Sequence, residues 1–465
     1  MLTAGAILGL LFLAYLAYSR PGYFTRPIFI GGFLLVECLI AAVWNYRRVF
    51  FPLVLLTFLF AGVGLPGGWT MARWFFLGAG ALVGSFVMLK ERSHRFGLFH
   101  LLAAFAVLAA LVSAAVSHYP EIAMLKAVSL LLLFVYAGTG ARLAVRSREN
   151  QFFAGLLLGC EGFIVALAVL YFLGIEIMGN PNSLGAVSGV AAPILLWGIL
   201  IEENPFIRRR RWVLYALCMY LTFHSQARAS LAAAFLSCGL LCVILRKYKM
   251  LAQGLAIFLI FLVLAASSAI VDPFGFSRRT SAFTASVVYK GKDPSLGVLG
   301  SRMSPWQTAM DILQTHFWFG TGFGTSDSGR DASDHFGKFS STAEMAVENG
   351  SSYLAIVTWV GVAGVAPFVL LLLVLIGKVI RTLVWVRKTG NAYHPALPLA
   401  MIVLAGLLHA AFEDWLFAVG YYLCIFFWTL AFVFVDLAPA RPLAAFAVWR
   451  PPLIQGNVDG IVPSR

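Results

Sequence analysis

The sequence predicts an all-α integral membrane protein, a polytopic helical bundle of about 14 transmembrane helices with one large loop outside the membrane. Hydrophobic residues make up 61% of the 465-residue chain and charged residues only 12%, and the mean hydropathy is +0.88. Apolar runs of about 18 residues or more recur along the chain, and each such run is long enough to form a helix that crosses a bilayer. Because these runs are continuous rather than alternating, helices are favoured over the strands of a membrane barrel.

The apolar runs divide the chain into two groups of helices separated by a long polar stretch. The predicted spans lie at residues 2–18, 27–44, 49–66, 74–89, 97–117, 127–145, 152–174, 183–201, 212–224, 229–245, 251–271, 351–377, 395–412 and 417–437. We interpret Leu2–Ser19 as a first membrane helix rather than a removed signal peptide, because no basic segment precedes it. The resulting regions are the helices before the large loop (1–271), the large loop with an interfacial helix (272–349), the helices after it (350–437) and a tail (438–465).

Basic residues predict the orientation of these spans. Lysine and arginine concentrate in the loops after even-numbered spans, for example Arg47–Arg48 and Arg208–Arg211, whereas the short loops after odd-numbered spans hold few, such as Arg73 and Lys126. Positive short loops stay in the cytoplasm. Both termini are therefore predicted to be cytoplasmic and the large loop to lie outside. This rule also accounts for the net charge of +14 without a nucleic-acid partner.

Cysteine and histidine placement gives no sign of a disulfide framework or a metal centre. All six cysteines fall inside apolar runs, where a free thiol is a small buried hydrophobe. The histidines are scattered and form no short-spaced set on one helix face. No Asp-x-Asp pair suited to a metal-bound nucleotide sugar appears in an accessible loop. We therefore expect neither a metal nor another cofactor.

Two short polar motifs are predicted at the outer ends of spans. Asn180-Pro181-Asn182-Ser183-Leu184-Gly185 opens the eighth span and suits a plain helix cap, although such a cap can also direct free amides at an anion. Thr222–Ser230 separates two short spans and contains His224 and Arg228. Arg228 could extend to the lipid headgroups, but a guanidinium in a polar cluster between apolar helices favours a phosphate-binding role.

The third polar feature is the large loop itself, which carries Arg278, Arg279 and His335. Ser304 followed by Pro305 predicts a capped helix that starts at Pro305. The apolar stripe expected on this helix comprises Trp306, Ala309, Met310 and Leu313, followed by Phe317, Trp318 and Phe319. Such a helix would lie on the membrane surface. Gly320, Gly322 and Gly324 then indicate a tight turn more readily than a phosphate loop.

Acidic residues inside the apolar runs are further candidates, because ionisable groups in a membrane are costly unless they serve a purpose. Glu37 and Glu161 fall in the middle of spans, where interhelical hydrogen bonding is at least as good an explanation as function. Glu413 and Asp414 lie at the outer end of the thirteenth span, near His409. There they could support an acceptor site or pair with an outer arginine.

Taken in order, these motifs resemble those of the O-antigen ligase/polymerase superfamily of polytopic membrane glycosyltransferases. The resemblance covers roughly residues 179–364 and rests on motif order: Asn-Pro-Asn-x-Leu-Gly, an arginine that opens a span, Ser-Arg-x-x-x-Trp, Gly-x-Gly-x-Gly, and Asn-x-x-x-Tyr-Leu. It implies glycan transfer from undecaprenyl diphosphate to an acceptor hydroxyl at the periplasmic face of the bacterial inner membrane. The implied partners are this donor, a glycan or lipid-linked acceptor, and membrane lipids.

The resemblance also suggests roles for individual residues. The two arginines of the family that contact the diphosphate match Arg228 and Arg302. Glu348 stands where the ligases of the family carry a histidine, which favours a polymerase, and a carboxylate can act as the base as a histidine does. His335 is the alternative base, and a helix-start role for Glu348 is equally open. The candidate catalytic residues are Glu348, Arg302 and Arg228, and the candidate substrate-binding residues are Arg278, Arg279, His335, Asn349, Asn182, His224 and Tyr353.

Three other functions are alternatives to a glycosyltransferase that polymerises or ligates a surface polysaccharide. A lipopolysaccharide O-antigen ligase proper would use the same donor with a different acceptor. A transporter or flippase for lipid-linked sugar would be expected to show internal repeats and charged sites deep in the membrane, whereas these motifs cluster outside. A binding or scaffolding protein would need the arginines but no base.

Overall fold

The fold is known from a computed structural model that describes residues 11, 14–23, 26, 32, 40, 43–63, 68–91, 96–175, 181–267, 300–325 and 350–439. The helices are α1 (Tyr46–Gly62), α2 (Trp69–Glu91), α3 (Leu98–Ala115), α4 (Pro120–Val145, with a π-helical turn at Ala137–Ala141), α5 (Glu149–Phe172), α6 (Pro181–Ile201), α7 (Pro205–His224), α8 (Arg228–Ile244), α9 (Tyr248–Ser267), α10 (Gly300–Thr315), α11 (Ser352–Thr389), α12 (Ala396–Ala410) and α13 (Tyr422–Leu437). No strand occurs among the described residues.

Each predicted span from 49–66 onward coincides with one of these helices, whereas 2–18 and 27–44 lie largely outside the described residues. In the described ranges, 6 helices are long and apolar enough to cross a membrane, namely α2, α3, α4, α5, α6 and α11. Helices α8, α12 and α13 are apolar but shorter. The fold is therefore that of an α-helical integral membrane protein, and a total of about 14 crossings remains a prediction.

The distribution of apolar side chains supports this class. Large apolar residues are exposed on the outside of the bundle, including Leu82 at 74%, Phe86 at 70% and Leu158 at 63%. A water-soluble protein rarely leaves so much apolar surface uncovered, but lipid tails accept it. The centre is formed by α6, α12 and α13, which are almost entirely buried. Helix α6 packs against α7, α8 and α12, and α11 packs along α3.

Polar contacts separate the loops into two ends of the bundle. At one end Glu91 pairs with Arg47 and with Arg146, the latter at 3.0 Å. At the other end the Arg73 guanidinium donates to the carbonyl of Gly420 at 2.9 Å. Loops predicted on the same side of the membrane thus contact one another. That the end with Glu91 faces the cytoplasm remains a prediction from the basic residues.

Two predicted loops turn out to be helical. The basic run Arg208–Arg211 lies in the first turns of α7, because Asn204 caps the helix by accepting from Phe206 N–H at 2.9 Å and Pro205 occupies the first helical position. Helix α11 likewise continues to Thr389 and includes basic residues that the sequence predicts to lie in a loop. Arginine and lysine are good helix formers, so the end of an apolar run need not end a helix.

The predicted start of α10 is also wrong. The helix begins at Gly300, and Pro305 lies inside it rather than at its first position. The Pro305 nitrogen has no hydrogen to donate to the Ser301 carbonyl, which disfavours this arrangement locally. Tertiary contacts of Arg302 and Pro305 hold the first turn in place, as described below. The buried face of α10 includes Ala309 and Ile312, whereas Met310, expected on the apolar stripe, is exposed.

Glu161 is explained by an interhelical ion pair. Its carboxylate on α5 accepts from Arg210 at 2.6 Å and from Arg211 at 2.8 Å, both on α7. This confirms the structural interpretation of Glu161, whereas Glu37 lies outside the described residues. The cysteines in the described ranges are free and buried, namely Cys160, Cys218, Cys238, Cys242 and Cys424.

Helix α11 is broken at Gly361, whose φ of 65° and ψ of −177° are not helical. The segment that follows α10 docks into this break and supplies the hydrogen bonds that the helix lacks. These bonds join Thr321 N–H to Thr358 O (3.0 Å), Gly322 N–H to Trp359 O (3.1 Å), Val362 N–H to Phe317 O (2.9 Å) and Ala363 N–H to Trp318 O (3.0 Å). Backbone groups freed inside a membrane must find such partners. The break therefore fixes residues 317–325 against α11.

The glycines of the docked segment act as a turn. Gly320, Gly322 and Gly324 all have positive φ, at 70°, 109° and 74°. A Cβ on Gly320 would lie 2.4 Å from the carbonyl of Thr358. A side chain at Gly322 would meet Ser117 of the α3–α4 connection at 2.1 Å. Their spacing thus serves close backbone packing, as expected for a turn.

Candidate active site

Arg302 is held at the end of the bundle that contains Arg73 and Gly420. It lies on the buried face of α10 and forms an ion pair with Glu413, which is in the connection between α12 and α13. Only 10% of the Arg302 side chain and 16% of the Glu413 side chain are exposed. This confirms that Glu413 pairs with an arginine at this end of the molecule. The pairing orients the guanidinium, because few other positions would satisfy both charges.

The start of α11 packs directly on this ion pair. A Cβ on Gly350 would lie 3.4 Å from Cδ and Nη1 of Arg302 and 3.2 Å from Cβ of Pro305. The Ser352 hydroxyl donates to the Glu413 carbonyl at 2.6 Å and accepts from Leu416 N–H at 3.0 Å. The first residues of α11 therefore fix the backbone that carries Glu413.

Arg228 opens α8 after a tight turn in which Gln226 has a φ of 54°. Helix α6 approaches this turn closely because Gly185 has no side chain. A Cβ there would lie 2.4 Å from Oγ of Ser225 and 2.6 Å from Cβ of Ala227. Gly185 belongs to the Asn180–Gly185 motif, so one function of that motif is to bring the N-termini of α6 and α8 together.

Arg228 and Arg302 lie close enough for their charges to interact. They are far apart in the sequence, yet the charge of Arg302 acts on Arg228. Two positive groups repel each other, and the carboxylate of Glu413 offsets the charge of Arg302. The fold therefore brings two positively charged side chains, one from α8 and one from α10, to the same end of the bundle.

A buried polar network lies beside the arginines. His409 on α12 is 1% exposed and accepts at Nδ1 from the indole N–H of Trp415 at 2.7 Å. Because Nδ1 accepts, the ring proton is on Nε2, which lies 3.0 Å from Oγ of Ser230 and donates to it. Arg302 also acts electrostatically on His409. This network joins α12 to the first turn of α8 and so supports Arg228.

The structure describes some of the remaining predicted site residues, and the others lie outside the described ranges. His224 hydrogen-bonds Tyr171 through its ring, at 2.7 Å from Nδ1. The Tyr353 hydroxyl donates to the carbonyl of Leu407 at 2.8 Å, a bond that favours a packing role. Asn182 is half-buried at the start of α6. Glu348, Asn349, His335, Arg278 and Arg279 lie outside the described residues, and their roles remain predictions.

Several residues that shape the site were not singled out from the sequence. Ser230, Ser352 and Trp415 act through contacts across the bundle, and nothing in their local sequence distinguishes them from ordinary polar or aromatic helix residues. Gly361 is the exception. A glycine inside a long apolar run is a possible signal for a helix break.

The chemistry available here is anion binding. Two guanidinium groups, each with a fork of N–H donors, lie beside the N-termini of α8 and α11, where the helix dipole also favours negative charge. Among the described residues, no three His, Cys, Asp or Glu side chains are grouped as metal ligands would be. The site is thus suited to a phosphate-bearing group.

The fold defines a multi-pass α-helical membrane protein with an arginine-rich site at one end. Residues 213–369 match the model of a protein family described as O-antigen ligase. This segment contains Arg228, Arg302, the Gly320–Gly324 turn and the start of α11, whereas Glu413 and Asn182 lie outside it. The match confirms the relationship to the O-antigen ligase/polymerase superfamily of membrane enzymes. No curated protein matches the chain significantly.

Proposed function

We propose that this protein is a membrane glycosyltransferase that polymerises or ligates a surface polysaccharide. It transfers a glycan from undecaprenyl diphosphate to an acceptor hydroxyl at the periplasmic face, without a metal. The observation that carries this proposal is that Arg228 and Arg302, which are far apart in the chain, lie close enough at one end of the bundle for their charges to interact, beside the N-terminus of α8. The family match supports the enzyme class, and the roles of the individual groups are inferred from the site.

A bound diphosphate would bring negative charge to both arginines. Its phosphate oxygens accept hydrogen bonds in the fork geometry that guanidinium groups offer. The N-terminus of α8 contributes further amide donors at the same place. Because Glu413 and Gly350 fix Arg302 beforehand, little reorganisation is needed when the donor binds.

The same groups would also assist the chemical step. When the glycosidic bond to the diphosphate breaks, negative charge grows on the leaving oxygen. Preorganised positive groups stabilise such charge most strongly where water is excluded. The acceptor hydroxyl must lose a proton to a base within hydrogen-bond reach. We assign this role to Glu348, which precedes Gly350 by two residues in the sequence, with His335 as the alternative.

The test uses purified protein in proteoliposomes supplied with an undecaprenyl-diphosphate-linked glycan. Product length and lipid-linked donor consumption are measured for wild type, Arg228→Ala and Arg302→Ala. Each variant should lose product formation by at least about a hundredfold, since one removed electrostatic donor costs this much in comparable sites. Arg209→Ala is the matched control, because Arg209 is an exposed arginine in the first turns of α7.

Insertion and stability are checked by thermal unfolding in detergent, so that a folding failure is not mistaken for a catalytic one. Full-length product from stably folded Arg228→Ala and Arg302→Ala would exclude the proposed mechanism. Movement of lipid-linked substrate across the bilayer without any elongation would instead favour a flippase. Transfer to a lipid A core acceptor, but not to a second lipid-linked glycan, would favour a ligase proper.

A further inference from the structure

A second basic site lies at the opposite end of the bundle from Arg228 and Arg302. A cavity of about 400 Å³ opens where α8 and α11 end, beside the end of α6. Its basic lining residues are Arg246, Lys247, Arg387 and Lys388. Leu200, Ile244 and Leu245 form apolar parts of the wall. We propose that this cavity binds the phosphate-bearing headgroup of an anionic phospholipid.

Four basic side chains give this cavity a positive charge. In the part of the chain that the structure describes, no carboxylate forms an ion pair with any of its four basic side chains. Glu203 contacts the cavity lining by accepting from the hydroxyl of Tyr393 at 3.3 Å. Basic residues at a helix end ordinarily point to water and orient the protein in the membrane. Here they converge on a concave surface, where their fields add.

The backbone of Arg246 adopts a left-handed conformation at the end of α8. Lys247 N–H donates to Cys242 O at 2.8 Å and Arg246 N–H to Val243 O at 3.2 Å, which closes the end of α8. In this motif the residue in the left-handed conformation is usually glycine. Arg246 occupies that position with a φ of 56°, at some conformational cost. The equivalent position at the end of α11 is occupied by the expected glycine, Gly390, with a φ of 70°.

The size and surroundings of the cavity select a lipid rather than a free anion. A volume of about 400 Å³ is at the small end of ligand pockets and suits a headgroup more than a whole lipid. The apolar wall residues continue into helices whose outer faces carry exposed apolar side chains, such as Leu236 on α8 and Ile380 on α11. Acyl chains could follow these faces while the phosphate occupies the basic cavity. Basic pockets between membrane helices are known to take anionic headgroups.

The test measures thermal unfolding of delipidated protein in neutral detergent during titration with phosphatidylglycerol. Wild type should be stabilised saturably by phosphatidylglycerol and not by phosphatidylcholine. The variant Arg246→Gln/Arg387→Gln should require about thirtyfold more lipid for half-maximal stabilisation, which is about 2 kcal/mol. All four basic side chains are exposed, so the substitutions are not expected to prevent folding.

Arg208→Gln/Arg209→Gln is the charge-matched control, because both residues are exposed in the first turns of α7 and do not line the cavity. It should respond to phosphatidylglycerol as wild type does. An equal loss in this control would show that only general surface charge matters and would overturn the proposal. If Arg246→Gln/Arg387→Gln needed no more phosphatidylglycerol than wild type for half-maximal stabilisation, the proposal would be overturned as well. Equal stabilisation by inorganic phosphate alone would overturn the lipid assignment in favour of a free anion.

Discussion

Arg302 and Glu413, which are 111 residues apart in the chain, form an ion pair in which both side chains are mostly buried. The pair joins α10 to the connection between α12 and α13, and Gly350 packs on the Arg302 side chain. One end of the bundle is thereby organised around a guanidinium group. Arg228 is close enough to interact with the same charge.

The first prediction concerns the role of Glu413 in fixing Arg302. Glu413→Gln removes the carboxylate that pairs with the mostly buried guanidinium, and breaking a fully buried ion pair costs up to about 3–5 kcal/mol. We expect a lower unfolding temperature and a loss of glycan transfer of at least about tenfold. Unfolding in detergent and single-turnover transfer measure the two effects.

The matched control for Glu413→Gln is Glu91→Gln. Glu91 pairs with Arg47 and Arg146 at the opposite end, and these side chains are 28–39% exposed. Exposed ion pairs contribute about 1 kcal/mol or less. Glu91→Gln should therefore change stability little and leave transfer intact. Wild-type transfer by Glu413→Gln would show that Arg302 does not depend on this carboxylate.

The second prediction tests the break in α11. Gly361→Ala places a Cβ 2.4 Å from the Trp318 carbonyl, on a residue whose φ is 65°. Both the clash and the backbone strain should destabilise the fold by at least about 2 kcal/mol and release residues 317–325. Unfolding temperature and proteolysis of that segment report these changes.

Gly377→Ala is the control within the same helix. No atom lies within 4 Å of a Cβ at Gly377, and its backbone is helical. Alanine is a better helix former than glycine, so this variant should be within about 1 kcal/mol of wild type or more stable. If Gly361→Ala behaved the same way, the docked segment would not depend on the break.

The third prediction concerns the approach of α6 to Arg228. Gly185→Ala introduces a Cβ 2.6 Å from that of Ala227, so α8 must shift at its first turn. Glycan transfer should fall at least about tenfold, because Arg228 moves away from its position beside Arg302. The unfolding temperature should change less than in Gly361→Ala, because the rest of the bundle keeps its packing. Gly155→Ala, at a position with no atom within 4 Å, should retain activity. Equal activity of both variants would contradict the idea that Gly185 positions Arg228.

The fourth prediction is a dependence of stability on pH through His394, in the connection between α11 and α12. Burial lowers the pKa of His394 from 6.5 to about 4, and its Nδ1 accepts from Ala396 N–H at 3.2 Å, which requires an unprotonated nitrogen. Between these two pH values the unfolded chain binds a proton that the folded protein does not. Stability should therefore fall as the pH decreases from about 6.5 to about 4, by at most about 3 kcal/mol.

The measurement is the unfolding temperature across this pH range for wild type and His394→Asn. Asparagine can accept the same hydrogen bond through its side-chain oxygen but does not titrate. The difference between the two proteins should therefore shrink or reverse as the pH falls, because other groups contribute equally to both. Parallel pH profiles would contradict the role assigned to His394.

The sequence predicts the helices well because the apolar runs alone determine where a chain can cross a membrane. It predicts their ends less well. Arg208–Arg211 lie within α7 because Asn204 and Pro205 start the helix early, and Pro305 lies within α10 because contacts of Arg302 with Glu413 and Gly350 stabilise the preceding turn. These helix ends depend on local capping and on residues distant in the chain.

The candidate site also contains some residues that sequence motifs predict and others that depend on how the helices pack. Arg228 and Arg302 could be proposed from motif order, and Glu413 could be proposed as a partner from its place at the outer end of a span. The network of His409, Ser230 and Trp415 could not, since it depends on how α8 and α12 pack. Glu348 lies outside the described residues, so its role as base depends on the sequence alone.

The most direct test of the arginine pair is the affinity of the purified protein for an undecaprenyl-diphosphate-linked glycan, compared with the monophosphate carrier. Wild type should bind the diphosphate at least about tenfold more tightly, and Arg228→Ala/Arg302→Ala should lose this preference while it stays folded. Arg209→Ala should keep it. A double variant that still prefers the diphosphate as strongly as wild type would contradict the assignment of Arg228 and Arg302 to the donor.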